Sequence, residues 1–363
     1  MATRREFLMQ SAAVCIGTAT SVRATHAANA PAPTLERHKP RTPGVIQTVR
    51  GPLDASRLGF TLPHEHICAS SAGFWQVWPE FFGGRASFIS KVVDKLKAAK
   101  DAGIDTLVDV TPADVGRDVR LLEEVSRKSG MQIVASTGHW LYPSLSMSTR
   151  TAQELADFFA LEIERGIEGT DIKAGVIKVA TDREELTPFL ENALRAAARA
   201  SKATGIPVTT HTYAVGRGGE QQAEIFEQEG LEPANVCLGH CDESNDLDYL
   251  AGLAKRGYMI GMDHLTRGAQ GAQKELLSWQ QRAECIKKLV DAGFVDRIFL
   301  SNDWFFGVSI AGSGAMEAME ALNPDGLLFN TRKTLPYLKR LGITDQQIRT
   351  ITVENPRRFF GSR

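Results

Sequence analysis

Two kinds of apolar pattern alternate along the chain. Short, nearly continuous apolar runs ended by turn residues fall at Phe60–Ile67, Ile104–Val110, Gln132–Gly138, Gly175–Ala180, Pro207–Thr212, Val236–His240, Tyr258–His264 and Arg297–Asp303. Strands covered on both faces read this way. Between them lie segments with helical spacing of apolar residues, at Ala86–Ala102, Val119–Ser129, Ala152–Ile167, Pro188–Thr204, Glu220–Glu229, Asp246–Arg256 and Leu277–Ala292. Gly103, Gly130, Gly205, Gly230 and Gly293 stand where such helices should stop. Eight strands alternating with helices predict an α/β fold with a parallel sheet closed into a (β/α)8 TIM barrel, with its chemistry at the carboxyl ends of the strands. The rival is an open doubly wound sheet. It usually carries a glycine-rich phosphate turn after an early strand, and the chain has none. Two stretches break the rhythm, one after His264 and one from Phe305 to Asn330. Both follow strand ends, where a barrel builds loops over its pocket.

The first thirty residues follow another logic. Thr3-Arg4-Arg5-Glu6-Phe7-Leu8, a mildly apolar stretch up to Val22, and the small residues Ala28-Asn29-Ala30 read as a twin-arginine signal with a cleavage site. Residues 31–43, with scattered prolines and charges, read as a linker, and 44–363 as one barrel domain. The expectation is export by the twin-arginine machinery to the periplasm, either free or membrane-associated on the periplasmic side. That route carries folded proteins, which suits a chain that must acquire a metal first. Cys68, Cys237, Cys241 and Cys285 then fold in a reducing compartment and are expected to stay free, with Cys237 and Cys241 read as buried packing residues.

Composition narrows the partners. With 43% hydrophobic and 23% charged residues the chain can bury a large core. Its 42 Lys+Arg against 43 Asp+Glu leave a net charge of −1, with no basic stripe for a nucleic-acid backbone. No apolar run is long enough to span a membrane. The apolar stretch Phe74–Phe82 makes a two-fold homodimer the expected assembly.

The histidines carry the candidate chemistry. His64, His66, His139, His211, His240 and His264 all fall at carboxyl ends of predicted strands, and none falls in a predicted helix. One buried histidine is ordinarily a satisfied core residue; six at the working end of one barrel point to a divalent metal, because imidazole is its commonest side-chain ligand. In His64-Glu65-His66 the imidazoles project to the same side of the strand and Glu65 to the other. Asp303 is the acid at the tip of the eighth strand; a bare turn cap is its simpler role. Lys178 sits in a strand covered on both faces, where an ammonium is expensive to bury. It is either paired with a carboxylate or present as a neutral amine able to act as nucleophile, Schiff-base former or, after reaction with CO2, carbamate. The surrounding histidines favour the carbamate.

Gly59-Phe-Thr-Leu-Pro-His-Glu-His-Ile67, Ser70-Ser-Ala-Gly-Phe74, Trp78-Pro-Glu-Phe-Phe82, Gly175-Val-Ile-Lys-Val-Ala180, Val208-Thr-Thr-His-Thr212 and Ser301-Asn-Asp-Trp304 resemble the phosphotriesterases of the amidohydrolase superfamily, and the resemblance runs from Ile46 to Phe360. It implies a binuclear site, with His64, His66 and Asp303 on a buried metal and His211 and His240 on an exposed one. Carboxylated Lys178 and a hydroxide would bridge the two. Zinc is the usual metal for such ligands, with cobalt, manganese or iron also fitting. The implied reaction is hydrolysis of organophosphate triesters such as aryl dialkyl phosphates by attack of the bridging hydroxide. Asp303 would pass a proton through His264 to Glu243, where the family has an aspartate. The resemblance puts Trp140, His139, Ala69, Val115, Phe305 and Arg267 around the substrate pocket. His139 stands where an apolar residue is expected, Ala69 where a glycine is, and Phe305 is bulkier than expected. The loop after His264 is shorter than expected. These departures keep a lactonase or arylesterase with incidental triesterase activity in play, although Trp140 and His264 stand where such lactonases carry tyrosine and arginine. A metal-binding protein without catalysis is the remaining alternative; Lys178 and the Asp303–His264 pair weigh against it, because storage requires no proton relay.

Overall fold

The computed structural model describes residues 43–183, 185–266, 277–310 and 314–361. The twin-arginine signal predicted over 1–30, nearly all of the linker and the pocket candidate Arg267 lie outside the described residues. An antiparallel hairpin, β1 (Val45–Thr48) and β2 (Gly51–Asp54), opens the described chain. There follow β3 (Thr61–Ala69), β4 (Thr106–Asp109), β5 (Gln132–Gly138), β6 (Val176–Ala180), β7 (Val208–His211), β8 (Val236–Leu238), β9 (Met259–Met262), β10 (Ile298–Leu300) and β11 (Phe305–Val308). These nine form one parallel sheet in the order β10-β9-β8-β7-β6-β5-β4-β3-β11.

The two ends of that order are consecutive in the chain, joined by Ser301–Trp304, and this closes the ring. β10 pairs with β9 and β11 pairs with β3. The eighth stave of the barrel is thus one strand that changes partner midway. The linking residues bridge the seam, with Asp303 N–H donating to His64 O at 3.1 Å and His66 N–H to Trp304 O at 2.9 Å. Sequence pattern placed the eighth strand at Arg297–Asp303 and read Phe305 onward as loop. The strand instead breaks at Ser301 and resumes at Phe305, because the second half is held by β3 and not by its own neighbour in sequence.

A short helix that the pattern did not predict, α1 (Phe74–Val77), precedes the seven predicted ones, of which two keep their expected bounds and five have shifted ends: α2 (Arg85–Asp101), α3 (Val119–Ser129), α4 (Ala152–Glu164), α5 (Pro188–Thr204), α6 (Gly218–Gln228), α7 (Leu247–Arg256) and α8 (Trp279–Asp291). Their boundaries are chemical. Thr187 caps α5 by accepting from Leu190 N–H, with Pro188 in the first turn, and Gly205 ends it at φ 76°.

Strand alternation divides the core. Leu107, Ile133, Ile177, Leu238 and Ile260 face the helices, whereas Val108, Val134, Val176, Cys237, Met259 and Phe299 fill the barrel. Ile46 and Leu53 from the hairpin, with Phe359 and Phe360 from the carboxyl-terminal helix Asn355–Gly361, join that inner cluster. The inner apolar layers leave only the carboxyl ends of the strands for polar groups. Cys68, Cys237, Cys241 and Cys285 are free, as expected, and all four are buried, as the packing reading of Cys237 and Cys241 expects. Among the described residues no helix is long and apolar enough to cross a membrane.

Candidate metal centre

At the carboxyl ends of the strands the structure gathers His64 and His66 from β3, Lys178 from β6, His211 from β7, His240 after β8, His264 after β9 and Asp303 between β10 and β11. Register sets their heights: Lys178 lies beside Thr209, Ala180 beside His211, and Phe305 beside His66. Lys178 packs close to its other neighbour because Gly138 ends β5 at φ 116°; a Cβ there would stand 1.9 Å from the Lys178 carbonyl oxygen.

Polar atoms converge on one small volume. Lys178 Nζ is 2.7 Å from His64 Nε2, and His66 Nε2 is 3.0 Å from Asp303 Oδ1. His240 Nε2 is 2.9 Å from His211 Nδ1, and His264 Nε2 is 2.8 Å from Asp303 Oδ2. His64 Nε2 and Asp303 Oδ1 are 3.8 Å apart. The other nitrogen of each ring is turned outward to an oxygen. His64 Nδ1 and His240 Nδ1 share the two oxygens of Asp263 at 3.0 and 2.8 Å. His66 Nδ1 meets Thr111 Oγ1 at 2.7 Å, His264 Nδ1 meets Glu243 Oε1 at 2.7 Å, and His211 Nε2 faces Asp182 Oδ2 at 3.8 Å. A carboxylate only accepts, so it fixes the proton on the outward nitrogen and leaves the inward lone pair for a ligand.

Electrostatics agree with that assignment. Burial, aided by Lys178, pushes His64 down to about 4, and burial also lowers His211 and, well below the ordinary value, His240. Burial alone would raise Asp263, but His240 and His64 outweigh it and hold the carboxyl well below its ordinary range. Neutral imidazoles around an ionised acid are the form that binds a divalent cation. Three overlapping sets bring ligand atoms within 4.8 Å of one another: His64, His66 and Asp303; His64, His240 and Asp263; His240, His264 and Asp303. Two of the ligand candidates, His240 and Asp303, have left-handed backbones, with φ of 57° and 49°. His240 is steadied by its own N–H on Asp263 Oδ1 at 2.7 Å.

The chain matches the phosphotriesterase family over residues 44–360. It belongs to that family. It is 33% identical to an aryldialkylphosphatase of Saccharolobus solfataricus over 311 residues, covering 85% of this chain and 96% of the relative. It is also 33% identical to a phosphotriesterase homology protein of Mycobacterium tuberculosis over 327 residues, 87% of this chain and 97% of the relative. A more distant relative, 24% identical over 349 residues (87% of this chain, 97% of the relative), is an N-acetyltaurine hydrolase of Danio rerio. The phosphotriesterase family is metal-dependent, and this donor set fits divalent ions. Burial disfavours the charged form of His64, His211 and His240, and the outer nitrogens of His64, His66, His240 and His264 each lie within 3.0 Å of an oxygen.

Of the pocket candidates, Ala69, Val115 and Phe305 form one apolar cluster with Val308, and Trp140 packs against it. Phe305 stacks on His66 at 4.5 Å between ring centroids, and Trp140 meets His211 edge-on at 6.1 Å. His139 is engaged elsewhere, edge-on to Phe189 of α5 and with Nδ1 3.4 Å from Asp114 Oδ2. Sequence reading singled out the candidate ligands and missed the groups behind them: Asp263, Thr111, Asp182, and Asp109, which accepts from Ile67 N–H at 2.7 Å. Asp242, expected only as a neighbour of Glu243, accepts from the N–H groups of both Asp263 and His264 and is paired with the fully buried Arg282. A signal was available only for Asp263, which directly precedes His264, and for Asp242, two residues after His240; Thr111, Asp182 and Asp109 stand beside no histidine in the chain.

Proposed function

We propose that this protein is a binuclear metal-dependent hydrolase of small-molecule esters, acting on organophosphate triesters of the aryl dialkyl type. The observation that carries this reading is the convergence of His64, His66, Lys178, His211, His240 and Asp303 at one barrel mouth. His64, His66 and Asp303 would hold one ion, and His211 and His240 the other. Lys178 Nζ, as a neutral amine, would add CO2 with formation of an N–C bond and loss of one proton, and the carbamate would supply oxygen ligands to the ions. Zinc fits the nitrogen-rich donor set, with cobalt, manganese or iron as substitutes. The bound ions supply an activated water at neutral pH and polarise the substrate oxygen. Asp303 Oδ2 takes the proton from the attacking water, His264 Nε2 receives it across 2.8 Å, and Nδ1 delivers one to Glu243 Oε1 across 2.7 Å. Glu243 is 22% exposed at its side chain, so the relay ends where solvent can carry the proton away. Trp140 and the cluster of Ala69, Val115 and Phe305 supply the apolar wall for the ester groups.

A second reading, attack on a carbonyl in a lactone, aryl ester or related acyl compound, draws on the relative named an N-acetyltaurine hydrolase. Twin-arginine export to the periplasm and assembly as a homodimer through the exposed Val77, Trp78 and Phe81 belong to the same proposal. The deciding experiment is to reconstitute the protein with zinc or cobalt plus bicarbonate and compare kcat/KM for an aryl dialkyl phosphate and an acyl lactone. Preference for the triester supports the first reading. A lactone preferred by orders of magnitude replaces it with the second.

A further inference from the structure

Glu65 stands between His64 and His66 on β3, so strand alternation sends its side chain away from the two histidines. It does not reach solvent there, being only 1% exposed. Its carboxylate instead accepts four hydrogen bonds from one short stretch of chain. Oε1 accepts from the Ser301 hydroxyl at 2.7 Å, the Asn302 N–H at 2.8 Å and the Asn302 side-chain amide at 3.1 Å. Oε2 accepts from the Trp304 N–H at 2.8 Å. Every donor belongs to a residue immediately before or after Asp303 or next to it by one. Asp303 itself is left-handed at φ 49°, a conformation that persists in a non-glycine residue only where the surroundings over-determine it. The Ser301 oxygen also accepts from His64 N–H at 3.0 Å, so the same group ties the first stave to the eighth at the level of the ligands.

The geometry points to Glu65 as a positioning residue for Asp303. By gripping the N–H groups on both sides of Asp303 it holds the left-handed turn that sets Oδ1 3.0 Å from His66 Nε2 and Oδ2 2.8 Å from His264 Nε2. Glu65 touches neither substrate nor metal; it acts through Asp303. The consequence rests on the metal-hydrolase reading above, in which Asp303 both ligates and takes a proton.

Glu65→Gln tests this, since an amide keeps the shape but replaces one acceptor by a donor. With its oxygen toward Ser301 and Asn302, its NH2 faces the Trp304 N–H, donor against donor. The measurements are far-UV circular dichroism, zinc affinity by competition with a chromophoric chelator, and kcat and KM of the reconstituted enzyme. The expected result is a folded variant that binds zinc about 10- to 100-fold more weakly, the range for partners behind a metal ligand, with kcat lowered and KM little changed. A variant that only melts earlier, with wild-type zinc affinity and kcat, overturns the inference by reducing Glu65 to a structural strut. Should Glu65→Gln not fold, Asn302→Ala removes one of the four donors without touching a contact to His64 and decides the matter: weakened zinc binding supports the clamp, and unchanged binding and kcat overturn it. Wild-type protein that takes up no zinc would overturn the metal-hydrolase reading, and this inference with it.

Discussion

Asp263 offers the sharpest test of how the centre is held. Its Oδ1 accepts from both the N–H and Nδ1 of His240, at 2.7 and 2.8 Å, and its Oδ2 faces His64 Nδ1 at 3.0 Å. Asp263→Asn keeps the volume but leaves one acceptor. The amide oxygen gains most where two donors converge, at His240, which turns the NH2 group onto His64 Nδ1. His64 can then avoid a clash of donors only by moving its proton to Nε2, the nitrogen 2.7 Å from Lys178 Nζ. A protonated nitrogen cannot ligate a metal. Losing one charge-assisted hydrogen bond and the correct tautomer costs about 1.5–3 kcal/mol. At about 1.4 kcal/mol per tenfold, this weakens the ion held by His64 roughly 10- to 100-fold. The ion held by His211 and His240 suffers less, because His240 keeps its acceptor. Zinc competition titrations should therefore resolve two steps in the variant, one near wild type and one shifted, with circular dichroism unchanged. Two wild-type steps, or two steps shifted equally, would refute the argument that Asp263 works by fixing tautomers.

Other substitutions probe the remaining parts. Asp303→Asn should lower kcat by about 10²- to 10⁴-fold, the usual scale for a lost proton acceptor; full activity under metal saturation would remove Asp303 from the relay. Lys178→Met should bind fewer than two equivalents of metal by elemental analysis, and two tightly held equivalents would exclude the carbamate. Gly138→Ala forces a Cβ to 1.9 Å from the Lys178 carbonyl oxygen at φ 116°. It should cost about 3 kcal/mol or more, lowering Tm by about 6–12 °C at about 2–4 °C per kcal/mol; an unchanged melting curve would contradict the close strand approach.

The sequence was most informative where burial on both faces left continuous apolar runs. Strands such as Gln132–Gly138 were placed to the residue and helices such as Val119–Ser129 likewise. The histidines and Lys178 were visible because polar residues at the ends of such runs have few reasons to be there. The break in the eighth stave was not visible. Phe305–Val308 is a strand because β3, more than 200 residues earlier, pairs with it, and no local pattern reports a partner that distant. Glu65 was correctly sent to the face opposite His64 and His66, but alternation gives only a face. That this face holds four donors from Ser301, Asn302 and Trp304 depends on closure. Asp263 was hidden in the same way, since its two partners come from other strands.

The change of partner within the eighth stave also orders events during synthesis. Five of the six ligand candidates have been translated by His240, yet Asp303 and the residues that lock onto Glu65 emerge only near the end of the domain. The contact between Ser301 and Glu65 spans 236 residues, and closing a loop of that length is entropically late. A nascent or truncated chain can gather imidazoles without completing the seam. On the metal-hydrolase reading proposed above, a complete ligand set would therefore exist only once the last stave has docked, and metal retention would report on the finished barrel.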